Sequence, residues 1–223
     1  MTSADVRQRI VEIGIVPVVR AASPKEARMA VEAVRAGGIP TVELTMTVPG
    51  AIGVIEQIAK DMGSAVLVGA GTVLDADTAE RCIQAGAQFI VSPGFDAGTV
   101  QRAKRSGTLI MAGALSPTEV ITAWKAGCEF VKIFPCGAVG GPKYLKALKA
   151  PLPQVSMVPT GGVNLETAAD FIRAGADALG IGGELVSAAA LASGKIDEIT
   201  RAARRYLEIV REARAAAVAA VTR

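Results

Sequence analysis

The segment "EFVKIFPCGAVGGPKYLKALK", residues 129–149, decides the fold. Phe130, Val131, Ile133 and Phe134 form a short apolar run of the kind that makes a buried strand. The run stops at Pro135 and a glycine-rich turn, and the next residues have helical character. Lys132 stands in the middle of the apolar run, where a solvated surface position is not expected. A lysine can reach water from a strand end by extending its stem. It can also be held in a dry pocket for amine chemistry, and the rest of the chain has to decide between the two.

The strand–turn–helix pattern recurs along the chain. The apolar runs are "IVPVVR" (15–20), "TVELTM" (41–46), "AVLVGAGTV" (65–73), "FIVSP" (89–93), "LIMAGAL" (109–115), "FVKIFP" (130–135), "SMVPTGG" (156–162) and "ALGIGG" (178–183). They are continuous instead of alternating, as parallel strands covered on both faces require. Helical segments lie between them. In "SPKEARMAVEAVRAGG" (23–38), Ser23 can cap and Pro24 fits the first turn, with Ala27, Ala30, Val31 and Val34 on one face. Gly37, Gly86, Gly127 and Gly175 read as helix C-terminal caps. Eight evenly spaced strand–helix units predict a single-domain (β/α)8 barrel over residues 1–223, in preference to a doubly wound open sheet. An N-terminal helix is expected at about 3–13. The Ala- and Arg-rich segment at about 197–221 is expected to be the last barrel helix.

The 223 residues are 51% hydrophobic and 20% charged, which suits one globular domain with a substantial core. A net charge of +3 and 4% aromatic residues argue against a nucleic-acid partner. No membrane span is expected. Three cysteines without metal or redox spacing, and an N-terminus without an apolar signal core, point to a reducing, cytoplasmic setting. The chain contains no histidine. A zinc centre or a Ser-His-Asp hydrolase is therefore disfavoured, and acid–base work falls to carboxylates, lysine, cysteine or tyrosine. No cofactor and no metal are expected.

In a barrel of this kind the chemistry collects at the C-terminal strand ends. Those ends carry Arg20, Glu43 with Thr45 and Thr47, Thr72, Ser92 with Pro93, Lys132 with Phe134, Thr160 with Gly161 and Gly162, and Gly182 with Gly183 and Glu184. Some of these could be structural only: Arg20 a surface charge, Glu43 an ion-paired residue, the glycines tight turns. Together they offer one amine, one carboxylate and one guanidinium. Burial withdraws the hydration that favours an ammonium ion, and a free amine attacks ketones to form an iminium. Arg20 nearby would assist and Glu43 would oppose that neutral form. Glu43 would carry protons in the absence of imidazole. Arg20 and Thr72 would hold a carboxylate. The glycine turns after the seventh and eighth strands are the usual phosphate position in this architecture.

The blocks "VELTMT", "VGAGTVL", "FIVSPG", "VKIFP" and "VPTGGV" resemble the 2-keto-3-deoxy-6-phosphogluconate (KDPG) aldolase and 4-hydroxy-2-oxoglutarate (KHG) aldolase family, in order from about residue 8 to about residue 210. The resemblance implies a metal-independent class I aldolase, usually a homotrimer, on a (β/α)8 barrel. It implies Lys132 as the Schiff-base lysine, Glu43 as general acid/base and Thr72 at the pyruvate carboxylate. Pro93 and Phe134 would line the pocket, and Thr160, Gly161 and Gly162 would face the aldehyde and phosphate end. Many members carry arginine where this chain has Thr47, and Arg20 is expected to supply the missing guanidinium. Many carry a phosphate-binding serine where this chain has Glu184. A carboxylate about 6 Å from a phosphate repels it by roughly 3 kcal/mol per unit charge at an effective dielectric of about 20. Glu184 is therefore expected to point away and cap the helix "ELVSAAAL"; the other reading is an unphosphorylated substrate such as KHG. Two rival functions are a phosphate-binding isomerase or synthase without imine chemistry, and a non-catalytic barrel used as an assembly module.

Overall fold

The computed structural model describes residues 1–221, apart from the side chains at 218, 220 and 221. The strands are β1 (Ile15–Val19), β2 (Thr41–Thr45), β3 (Leu67–Gly71), β4 (Phe89–Val91), β5 (Leu109–Ala114), β6 (Phe130–Ile133), β7 (Met157–Pro159) and β8 (Leu179–Ile181). All pair in parallel with neighbours in sequence, and β1 also pairs with β8. A single bridge, Thr160 to Gly180, joins β7 to β8 and completes a nearly closed barrel. All eight strands are buried along their whole lengths, as the continuous apolar runs require. The strands are shorter than the apolar runs because each run's last residues leave the ladder and turn into the loop that follows.

The outer layer begins with α1 (Ser3–Ile13) and continues through α2 (Pro24–Ala36), α3 (Ala51–Met62), α4 (Ala76–Gln84), α5 (Ala97–Arg105), α6 (Pro117–Lys125) and α7 (Pro142–Lys149). It closes with α8 (Ala168–Arg173), the short α9 (Ala188–Ala192) and the long α10 (Ile196–Val221). Local chemistry sets the starts. Ser23, Asp75, Asp96 and Ser116 each accept a backbone N–H of the first turn, and Pro24 and Pro117 occupy N1. The stops follow the glycines with one correction. Gly86, Gly127 and Gly175 adopt the left-handed conformation, but Gly37 is right-handed and Gly38 (φ 95°) makes the reversal. At Gly37 a methyl would overlap Ala203 of α10, so close helix packing accounts for that glycine.

Two apolar layers result. The larger lies between strands and helices and includes Ala27, Ala30, Val31 and Val34 of α2. Ile199, Ala203, Tyr206, Val210 and Ala213 put one face of α10 into it, so α10 is the last barrel helix. Arg214 fastens this helix by donating to the carbonyls of Glu12 and Asp177. The second layer fills the lower lumen. Leu67, Phe89, Met111 and Phe130 meet there, and Val6 and Ile10 of α1 plug the barrel from below.

Candidate active site

Side chains alternate across a strand, so Phe130 and Lys132 share the lumen face of β6. Phe130 belongs to the apolar floor, and Lys132 stands one step above it, 4% exposed. Glu43 occupies the matching level on β2, 2% exposed. The Lys132 ammonium nitrogen lies 3.5 Å from Glu43 Oε1. That carboxylate oxygen has no hydrogen-bond donor among the described residues, and the lysine is its one salt-bridge partner there. Lys132 therefore does not extend to bulk water. An amine and a carboxylate removed from solvent and in mutual reach can exchange a proton with each other or with a bound molecule.

The other lumen positions at this level are small. Gly69 pairs with Glu43, Gly71 with Thr45, and Gly113 with Lys132. A methyl at Gly113 would sit 2.5 Å from the Gly94 nitrogen and overlap the Pro93 carbonyl. A methyl at Gly180 would overlap the Thr160 hydroxyl. These glycines let neighbouring groups approach closely, whereas apolar side chains fill the floor below. The sequence reading missed their part, although the alternation from Glu43 and Lys132 identifies the lumen positions of neighbouring strands once the register is known.

Thr72 follows Gly71 and is half-buried. Its φ of 59° is left-handed, an uncommon state for a β-branched residue and the only one of its kind among the described non-glycine residues. Ser92 is 2% exposed and donates to the Gly94 carbonyl at 2.6 Å, which fixes the turn carrying Pro93. Thr47 is exposed, with its hydroxyl oxygen 2.6 Å from that of Thr45. Thr45 donates its own proton to the Val19 carbonyl at 3.1 Å, so the Thr47 proton points to Thr45.

Above the seam between β7 and β8 lies a cavity of about 130 Å³. Phe134, Thr160, Gly161 and Gly162 form one wall, and Arg20, Gly182, Gly183 and Glu184 the other. The Phe134 ring links it to the centre, with its centroid 5.4 Å from the Lys132 nitrogen. Gly161 (φ 82°) and Gly162 (φ 79°) are both left-handed, which permits the sharp turn after β7. Thr167 holds that turn by donating to the Gly162 carbonyl at 2.8 Å. The Arg20 guanidinium leans over Gly182, 3.1 Å from where a methyl on that residue would be. Arg20 thus stands at the glycine end, together with Gly182.

Glu184 does not cap a helix, contrary to the sequence expectation. The N–H groups of Leu185 and Val186 both donate to the Gly182 carbonyl, which makes residues 182–186 a turn. The helix starts only at Ala188, where the Ser187 hydroxyl accepts from the Ala190 N–H. Glu184 instead contributes to the cavity wall. A larger groove of about 630 Å³ lies outside between α7 and α8, and it contains no member of this set.

Burial pushes the thiols of Cys82, Cys128 and Cys136 up to about 11, so none is a ready nucleophile near neutral pH. No helix among the described residues is long and apolar enough to cross a membrane.

A parallel barrel with a buried lysine–carboxylate pair at its C-terminal mouth suits the aldolases, a class of carbon–carbon lyases. The family model described as KDPG and KHG aldolase matches residues 6–202, and the chain belongs to that family. It is 35% identical over 199 residues to the 2-dehydro-3-deoxy-phosphogluconate aldolase of Treponema pallidum, covering 89% of this chain and 94% of that one. It is 33% identical to the 2-dehydro-3-deoxy-6-phosphogalactonate aldolase of Escherichia coli, covering 91% of this chain and 97% of that one. Among solved structures it is similar to KDPG aldolase from Legionella pneumophila, with a TM-score of 0.83 and 28% identity over 89% of this chain and 96% of that one. The Legionella protein was captured with pyruvate as a covalent carbinolamine.

Proposed function

We propose that this chain is a class I aldolase that cleaves KDPG reversibly to pyruvate and glyceraldehyde 3-phosphate through an imine on Lys132. The observation that carries the reading is the Lys132–Glu43 pair, both members buried and 3.5 Å apart. The Lys132 amine adds to the C2 ketone, giving a carbinolamine. Glu43 passes a proton to its hydroxyl, which leaves as water and gives the iminium. Glu43 then takes the proton of the C4 hydroxyl. The C3–C4 electron pair moves into the iminium, so the aldehyde departs and an enamine remains. Protonation at C3 and hydrolysis return pyruvate and the free lysine. The same sequence of steps on KHG would yield pyruvate and glyoxylate.

Thr72 would donate to the keto-acid carboxylate, with Pro93 and Phe134 packed on the carbon chain. The left-handed backbone at Thr72 supports a functional placement, because strain of this kind collects at binding sites. Thr160, Gly161, Gly162, Gly182 and Gly183 would face the aldehyde end. The lean of Arg20 over Gly182 favours the distal anion as its partner, in place of the keto-acid carboxylate first assigned to it. Thr47, its proton committed to Thr45, would then contribute an acceptor only. A cytoplasmic homotrimer that handles a small keto acid belongs to the same reading, and sedimentation velocity tests the assembly, a monomer counting against it.

The deciding experiment is incubation with pyruvate and borohydride followed by peptide mapping. The expected result is a mass gain at Lys132, and wild-type protein that gains none there removes the reading in favour of a barrel without imine chemistry. Relative rates on KDPG and KHG then address Glu184. If its charge repels phosphate, Glu184→Ser raises the rate on KDPG alone; equal changes on both substrates exclude repulsion as the selector.

A further inference from the structure

We infer that Gly71 is a positioning residue for the reaction: its absent side chain leaves the niche that lets the Glu43 carboxylate reach Lys132. The inference rests on the proton-carrying role proposed for Glu43. Gly71 ends β3, is buried, and pairs with Thr45. It is not one of the left-handed glycines, so its backbone would accept any residue and conformation does not explain the choice. Space does. A methyl built on Gly71 would stand 2.5 Å from both Cγ and Cδ of Glu43 and would overlap Oε1. Carbon contacts settle at about 3.5–4.0 Å, so the carboxylate would have to move by about 1 Å or more.

The floor limits where it can go. Glu43 is level with Gly69, and a methyl there would overlap the Phe89 ring, so that ring already lies across the position beneath the carboxylate. The side chain rises over Gly71 because the lower layer is filled. Nothing else holds it: no hydrogen-bond donor reaches Oε1 among the described residues, and Lys132 is its one charged neighbour. A displacement of about 1 Å at a reacting group costs about a hundredfold in rate.

The test separates imine formation from proton transfer. Borohydride trapping of pyruvate, taken as the final yield after long incubation so that slower loss of water from the carbinolamine does not limit it, reads the first, and the rate of exchange of the pyruvate methyl protons with deuterated water reads both. Gly71→Ala is expected to keep trapping at Lys132 within about threefold of wild type and to lower exchange about a hundredfold. Glu43→Asp shortens the acid by one methylene and vacates the niche, so adding Gly71→Ala to it should cost less than about threefold more. The inference is overturned if Gly71→Ala leaves exchange unchanged, abolishes trapping as well, or lowers exchange equally in both backgrounds. Should Gly71→Ala alone not fold, the double variant measured against Glu43→Asp carries the test, and a large further loss overturns it. Failure of the imine reading looks different: wild-type protein would then show no trapping at Lys132, or Glu43→Gln would exchange as fast as wild type.

Discussion

The floor and the mouth of the lumen are built by the same strands with the same alternation, yet they differ in almost every physical respect. The floor packs Leu67, Phe89, Met111 and Phe130 against Val6 and Ile10 of α1. One step higher, the corresponding positions are Gly69, Gly71, Gly113, Lys132 and Glu43. Below, apolar side chains fill the volume and their burial contributes to stability, the one exception among the described strand residues at that level being the unpartnered Thr41 hydroxyl beside Leu67. Above, glycines admit the Glu43 carboxylate and the Pro93 carbonyl at close range and two charges stand out of water, an arrangement that counts against stability unless a bound molecule uses it. The difference teaches where the barrel keeps its fold and where it keeps its chemistry.

Substitutions should break along the same line. The largest effect is expected from Glu43→Gln, which keeps the shape of the mouth and removes the proposed base. Aldol cleavage should fall about 10²–10⁴-fold while borohydride trapping at Lys132 slows but still reaches its full yield on long incubation, as steady-state rates and mass spectrometry would show. On the floor, Ile10→Ala should behave in the opposite way. It should lower stability by about 2–5 kcal/mol in urea titration and leave turnover of the folded enzyme within about twofold.

Thr72→Gly should join the two halves of the comparison. Releasing the left-handed backbone should stabilise the protein by about 1 kcal/mol, while loss of the hydroxyl raises KM for the keto acid. A variant that is both less stable and unimpaired would separate the strain at this residue from function.

The smallest effect concerns acid. Asp96 is held below the usual carboxylate range by its side-chain bond to Thr99 and by the Thr99 N–H, and Asp75 by the N–H and hydroxyl of Thr78. A folded carboxylate with a depressed pKa is stabilising above its unfolded value, and that contribution is lost as pH falls through the acid range. Asp96→Asn should therefore flatten the acid limb of the stability curve slightly, measured by thermal melting between about pH 5 and pH 3.

Much of this was legible before any coordinates. Continuous apolar runs between helical segments imply parallel strands covered on both sides, because a strand with one wet face alternates. The missing histidines restricted the chemistry, and Lys132 in "FVKIF" and Glu43 in "VELTM" stood out because charges inside buried strands need a reason. Cap residues such as Ser23 and the glycines at 86, 127 and 175 act within a few positions of themselves, so local sequence was enough to find them. Glu184 was misjudged because a helix start depends on which carbonyl the next N–H groups find, and here Gly182 takes two of them.

By itself, then, the sequence determined the order and type of elements and the kinds of group available for reaction, since these follow from periodicity, capping and composition over short distances. Only the tertiary structure decided that Lys132 and Glu43 meet, that Arg20 leans over Gly182, and that the Glu43 carboxylate lies where a side chain on Gly71 would be. Those facts depend on the register and closure of eight strands, which set distances between residues far apart in the chain and which no local pattern encodes.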